Sequence, residues 1–166
     1  MNRGGFILME ASITTIVLSL ALVALAPLFI LSIRANKNME RVKVASQLSV
    51  ELLEEVRLHR WDEKTPLARK AIFAGSEIHL DKNESGSDKR TFDDIDDFNG
   101  WTESAPFDPV MRPLAEFAAY SRSVTVKYVN ADMTSASMPT AYKQVTVCTR
   151  APKMIPVCLN SLFTDR

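Results

Sequence analysis

The residues best suited to bind a metal form one acidic cluster in the middle of the chain. Four carboxylates and one amide fall within seven positions, namely Asp93, Asp94, Asp96, Asp97 and Asn99. Hard oxygen ligands of this kind suit Ca²⁺. The spacing is not that of an EF-hand, because the fifth and twelfth positions counted from Asp94 are Phe98 and Ala105. Two interpretations remain open: a Ca²⁺ site, or a solvated loop in which aspartates cap local turns.

Aromatic residues surround this cluster and limit the ways in which its negative charge can be stabilised. Phe92, Phe98 and Trp101 flank the aspartates and are expected to pack inward. Like charges held close together repel each other. The sequence therefore predicts that the aspartates are solvated, paired with Lys89 and Arg90, or bound to a cation.

A single carboxylate, Glu10, begins a long apolar segment near the N-terminus. The 23 positions between Glu10 and Arg34 carry no charged residue, which is long enough to cross a hydrocarbon core of about 30 Å. An ionisable group in such a segment is costly to bury and marks a functional site. Glu10 therefore needs a partner.

Glu10 belongs to a longer N-terminal pattern: Arg3 in a short basic start, Gly5, Phe6, Glu10 four residues later, and Pro27 within the apolar run. This pattern resembles the start of type IV pilins and pseudopilins, in which the basic start is a leader, the glycine marks the cleavage position, the phenylalanine becomes the new N-terminus and the proline kinks the helix. The resemblance covers roughly the first 30 residues. It implies that a prepilin peptidase in the inner membrane cuts between Gly5 and Phe6 and methylates Phe6.

Cleavage would place an α-amine four residues before Glu10, on the same face of a helix. Either this amine or that of a neighbouring subunit would neutralise the carboxylate. The family mechanism favours the neighbour, so Glu10 is expected to set register during assembly.

The function implied by the resemblance is that of a minor pilin assembled into a type IV pilus, or helping to initiate one. The alternatives are a pseudopilin of a type II secretion system and an adhesive subunit at a pilus tip. The implied partners are other pilins, prepilin peptidase and the inner-membrane assembly platform. The chain would be a single-pass protein of the bacterial inner membrane with a periplasmic C-terminal domain. Residues 92–101 also resemble the acidic-aromatic loop of minor pilins of mannose-sensitive haemagglutinin pili.

Other interpretations of the apolar segment remain open. It could be a secretory signal peptide cut after Ala26, although Pro27 is an awkward residue beside a scissile bond. It could also be a plain single-pass anchor. A count of flanking cations places the C-terminal part in the cytoplasm, since the far side carries more of them: Arg34, Lys37, Arg41 and Lys43. The periplasmic orientation therefore rests on the resemblance.

The predicted fold is α+β, with one long helix packed on a small antiparallel sheet. We expect a leader (1–5), a transmembrane or fibre-core helix (6–33), its amphipathic second half (34–60), a variable surface loop region (61–113) and a sheet (114–166). The helix should run from Phe6 to about His59 with a kink near Pro27. Apolar residues three or four apart should face the sheet, namely Val42, Ala45, Leu48, Leu52 and Val56.

Strand signals come late in the chain. Apolar and polar residues alternate over 123–129 and 143–149. A weaker segment, 155–159, contains Pro156, which is typical of an edge or irregular strand. One short strand is also expected at 72–80.

The two cysteines, Cys148 and Cys158, are equidistant from Lys153. A hairpin turning at Lys153 would place them opposite each other, as a disulfide requires. Two separate thiols are the alternative. The resemblance also implies such a bridge, since many type IV pilins have a C-terminal disulfide loop.

Composition and motifs argue against two classes of function. Removing Arg3 with the leader reduces the 20 Lys and Arg residues to 19, against 20 Asp and Glu, so charge gives no case for nucleic-acid binding. The sequence contains no Gly-rich phosphate loop, nucleophile elbow or His-Cys pairing. We therefore expect no enzymatic activity.

Overall fold

The computed structural model describes residues 3–61, 78, 80 and 85–164, with side chains from Met9 onward. The strand expected at 72–80 lies outside the described residues except for Ile78 and Leu80. The chain forms two compact units, residues 1–41 and residues 42–166.

One helix, α1, extends over 55 residues from Arg3 to Arg57, close to its predicted bounds. Pro27 lies inside it, and the kink stays a prediction. Hydroxyl groups in its apolar part bond back to the helix itself. Thr15 donates to the carbonyl of Ala11 (2.6 Å) and Ser19 to that of Thr15 (2.7 Å). Such bonds satisfy hydroxyl groups in an apolar setting.

The part of α1 in the second unit buries the predicted stripe. Ala45, Leu48, Leu52 and Val56 are each no more than 2% exposed, as their helical spacing predicts. Val42 is 36% exposed, so its assignment to the stripe is wrong. It lies one turn before Ala45, the first fully buried residue of the stripe.

The sheet has four antiparallel strands in the order β1-β2-β3-β4, and it belongs entirely to the second unit. The strands are β1 (Thr102–Glu103), β2 (Ser121–Tyr128), β3 (Tyr142–Arg150) and β4 (Val157–Thr164). The structure confirms β2 and β3 to within two residues. β4 begins only after Pro156 and continues well past the predicted end, and β1 was not predicted.

Alternating residues of the two central strands form the core against α1. Val124 and Val126 of β2 and Val145 and Val147 of β3 are all nearly inaccessible to solvent, and they join the helix stripe in one cluster. The intervening residues of these strands point to the outer face of the sheet.

The segment before the sheet was predicted to be a surface loop, and for residues 92–101 this is wrong. Phe92, Ile95, Phe98 and Trp101 are buried in the core. Phe92 contacts both Phe98 and Trp101 edge to face, with ring centroids 5.0 and 5.4 Å apart. The aromatic residues therefore pack inward, as expected. Short 3₁₀ turns lie at Lys89–Thr91, Asp96–Phe98 and Ala115–Phe117.

Candidate functional site

The apolar half of α1 presents its whole circumference to the surroundings. All residues from 9 to 40 are exposed. Within the described residues this is the one helix long and apolar enough to cross a membrane, with a mean hydropathy of 2.8 over its most apolar stretch. Exposed apolar surface of this extent must be covered by lipid or by other protein.

Glu10 is exposed at the start of this surface, among apolar neighbours. It shares a helix face with Ile13, Thr14 and Val17, three, four and seven residues further on. The Thr14 hydroxyl donates to the Glu10 carbonyl oxygen. Covering this face would remove the Glu10 carboxylate from water, at a large cost unless a cation lies opposite.

The other N-terminal residues singled out in the sequence lie on the same helix. Gly5 and Phe6 both lie within α1, but the side chain of Phe6 falls outside the described part of the structure. Pro27 is exposed within the apolar span.

Only three of the four aspartates in the acidic cluster have carboxylate groups that lie close together. Asp93, Asp94 and Asp97 each place one carboxylate oxygen within 4.8 Å of the others. Asp96 turns away and pairs with Lys143, with 2.7 Å between Oδ1 and Nζ. Of the three alternatives for the charge of the cluster, pairing with Lys89 and Arg90 is not found, because these two cations pair with Glu55, Glu103 and Asp88.

These aspartates cap the turns of their own segment. Asp97 Oδ2 accepts hydrogen bonds from the backbone N–H groups of Asp93 and Asp94, both at 3.0 Å. Asp94 Oδ1 accepts from the N–H groups of Asp96 (2.7 Å) and Asp97 (3.3 Å). The aspartates therefore cap local turns, but the expected solvated loop is wrong, because Asp94, Asp96 and Asp97 are buried. Ca²⁺ binding stays a prediction.

Lys143 supplies the cation beneath the acidic turn. Its side chain is fully buried and donates a hydrogen bond to the Trp61 carbonyl oxygen (2.8 Å). Its Nζ also lies 4.6 Å from the centroid of the Trp61 ring, where the π-face attracts a cation. Sequence reasoning missed this role, although strand alternation already placed Lys143 on the same face as Val145 and Val147.

A second buried ionic cluster, which we call the Glu103 network, joins three parts of the domain. Glu103 Oε2 accepts from Arg122 Nε (2.6 Å), and Glu103 Oε1 lies 3.3 Å from Lys89 Nζ. Lys89 also pairs with Glu55 of α1 at 2.8 Å. Two further donors, Trp101 Nε1 and the Phe107 N–H, bond to the Glu103 carboxylate. Arg90 instead pairs with Asp88 on the surface.

Few local signals in the sequence indicate the Glu103 network. The available signal was the alternation of β2, which puts Arg122 on the inward face with Val124. The partners of Arg122 come from segments distant in the chain, and no local spacing identifies them.

Cys148 and Cys158 form a disulfide. They lie directly opposite each other in the β3–β4 pair, as a turn centred on Lys153 requires. The bridge is on the outer face of the sheet and closes the hairpin covalently.

The stability of the folded protein should depend on pH through the carboxyl group of Asp94. Burial, together with the charges of Asp97 and Asp96, raises its pKa to about 7. Between about pH 4 and pH 7, the Asp94 carboxyl group is therefore protonated in the folded protein but ionised in the unfolded chain. Stability contributed by this group is therefore lost as the pH rises through that range.

We expect Asp94→Asn to raise the melting temperature at pH 8 by roughly 5 °C, and the gain should shrink below pH 7 and disappear near pH 4. The asparagine oxygen can still accept the two backbone hydrogen bonds, so the substitution removes mainly the charge. Thermal unfolding of both proteins between pH 4 and pH 8 measures the difference. Glu116→Gln is the control, since Glu116 is exposed and lies outside the acidic cluster. A variant that is equally destabilised at every pH would contradict this account, and stabilisation of the native protein by added CaCl₂ would support the metal interpretation.

Comparisons of the chain with protein-family models, with curated proteins and with solved structures find no match.

Proposed function

We propose that this chain is a minor pilin, cut between Gly5 and Phe6 and assembled through α1 into a type IV pilus or a related filament. The observation that carries the proposal is a fully exposed apolar helix with one carboxylate, Glu10, at its start. In a plain membrane anchor the Glu10 carboxylate would have no role. In a filament subunit it would pair with the N-terminal amine of a neighbouring subunit.

The two units have separate tasks in this proposal. Residues 1–41 carry the surface that lipid covers before assembly and neighbouring helices cover afterwards. Dispersion and close packing of apolar side chains would hold the filament together. The second unit, held by its core, disulfide and ionic clusters, would form the outer body of the subunit. The proposed role is assembly, without catalysis.

The proposal predicts a specific N-terminus. In cells that contain prepilin peptidase, the protein extracted from membranes should begin at methylated Phe6. In cells without the peptidase it should begin at Met1. Intact mass and N-terminal sequencing measure both. A bulky residue at the scissile bond, as in Gly5→Val, should block cleavage in the presence of the peptidase.

Two results would overturn this proposal. A chain that keeps Met1 in cells containing active peptidase would leave a plain membrane anchor. A chain that begins at Pro27 would indicate removal of a secretory signal peptide.

A further inference from the structure

Three cations form a stripe on α1 directly after its apolar span. Arg34, Lys37 and Arg41, which we call the basic stripe, lie within about 60° of one another around the helix and extend over about 10 Å along it. Arg34 and Lys37 are exposed and Arg41 is partly exposed. Among the described residues, no ion pair involves any of the three. The nearest carboxylate in sequence, Glu40, lies at the edge of the stripe.

The basic stripe begins at the level where a membrane would end. Ile33 is the last residue of the apolar run, so Arg34 follows it at once. At 1.5 Å per residue, Arg34 and Lys37 would lie within about 6 Å of the hydrocarbon boundary and Arg41 about 12 Å from it. The headgroup layer is roughly 5–8 Å thick on each side, and long basic side chains can bend towards it.

The basic stripe lies on the flank of α1 that the proposed function places in the periplasm, where a positive flank is unfavourable. Cations next to a membrane span favour the cytoplasmic side, so three of them on the periplasmic flank make translocation harder. A contact that these cations make after insertion would account for their presence. Phosphate groups of lipids are the acceptors available at this depth.

We propose that the basic stripe binds the phosphate headgroups of anionic phospholipids in the leaflet where α1 leaves the membrane. This rests on insertion of α1, which is part of the proposed function. Bound lipid would hold the subunit at a fixed depth before it enters a filament. The attraction to anionic lipid is worth about 1 kcal/mol for each cation near the surface.

Lipid selectivity of the full-length protein tests the proposal. The protein is reconstituted in phosphatidylcholine bilayers that contain a trace of spin-labelled phosphatidylglycerol or phosphatidylcholine. Electron paramagnetic resonance then measures the motionally restricted fraction of each lipid. We expect at least a fivefold preference for phosphatidylglycerol, the factor that corresponds to one cation. The variant Arg34→Gln, Lys37→Gln, Arg41→Gln should bind the two lipids almost equally.

A control variant removes the same charge from the exposed surface of the second unit, through Lys127→Gln, Arg150→Gln and Lys153→Gln. It should keep the preference. A preference that survives in the stripe variant would overturn the proposal. Keeping the preference when inorganic phosphate is added at constant ionic strength would support lipid headgroups, rather than free phosphate, as the ligand.

Flotation of the reconstituted protein on a density gradient after alkaline extraction separates this inference from the proposed function. Protein that leaves the vesicles refutes insertion of α1 and with it both proposals. Protein that stays with the vesicles but shows no lipid preference refutes the basic stripe alone.

Discussion

Replacing Glu103 with alanine is expected to destabilise the second unit by about 3–5 kcal/mol, the cost of removing one partner from a buried ion pair. Arg122 and Lys89 would keep their charges in a site where their side chains are fully buried. The Trp101 and Phe107 N–H groups would lose their acceptor as well. Since domains of this size are stable by about 5–15 kcal/mol in total, the variant should be partly unfolded near body temperature.

Thermal unfolding of the full chain in detergent, followed by near-ultraviolet circular dichroism, measures this effect. Glu116→Ala is the matched control, because Glu116 is exposed and its removal should change the melting temperature little. A melting temperature for Glu103→Ala equal to that of the control would show that water or rearrangement compensates for the lost carboxylate.

A double replacement distinguishes the ion pair from simple loss of packing. Glu103→Leu and Arg122→Leu together remove both charges of the closest pair and leave Lys89 paired with Glu55. The double variant should lose less stability than the sum of its two single variants, since neither charge is left without its partner. Additive losses would argue against coupling.

The Glu103 network adds side-chain links between an irregular segment and the rest of the core. β1 has two residues and pairs with β2, and backbone hydrogen bonds also hold the segment before it, such as the bond from the Gly100 N–H to the Val124 carbonyl oxygen (3.1 Å). Lys89 and Glu103 connect the same segment to Glu55 on α1 and to Arg122 on β2. Buried side-chain bonds therefore reinforce a segment that has little regular secondary structure.

Features with a local period were predictable from the sequence. The spacing of Leu48, Leu52 and Val56 defined the buried face of α1, and alternation in β2 and β3 defined the sheet. The symmetric positions of Cys148 and Cys158 about Lys153 fixed a hairpin register that the structure confirms. In each case neighbouring residues carry the signal, because a regular backbone repeats every two or every 3.6 residues.

Long-range pairs of charges were not predictable in the same way. Asp96 and Lys143 are separated by 47 positions, and nothing in either local sequence selects one for the other. The nearby cations Lys89 and Arg90 were one predicted set of partners for the acidic cluster, and both pair elsewhere. Burial decides these pairings, since an unpaired charge is excluded from the core once the segments have packed.

Glu10→Ala is expected to lower incorporation into sheared filaments by more than tenfold while leaving the amount of protein in the membrane unchanged. The carboxylate is costly in an apolar environment, so removing it should not impair insertion. What the variant loses is the charge that a neighbour's Phe6 amine would meet. Immunoblots of the filament and membrane fractions, normalised to total protein, measure the two quantities separately.

The control for Glu10 is Glu51→Ala, which removes an exposed carboxylate from the same helix outside the apolar span. It should assemble normally.

Glu10→Gln separates the charge of Glu10 from its hydrogen-bonding capacity, since it keeps the size and hydrogen-bonding capacity of the side chain but not its charge. If charge pairing sets the register, Glu10→Gln should fail as Glu10→Ala does, because a buried amine gains little from a neutral partner. If Glu10→Gln assembles normally, a hydrogen bond suffices and the ion-pair mechanism is wrong.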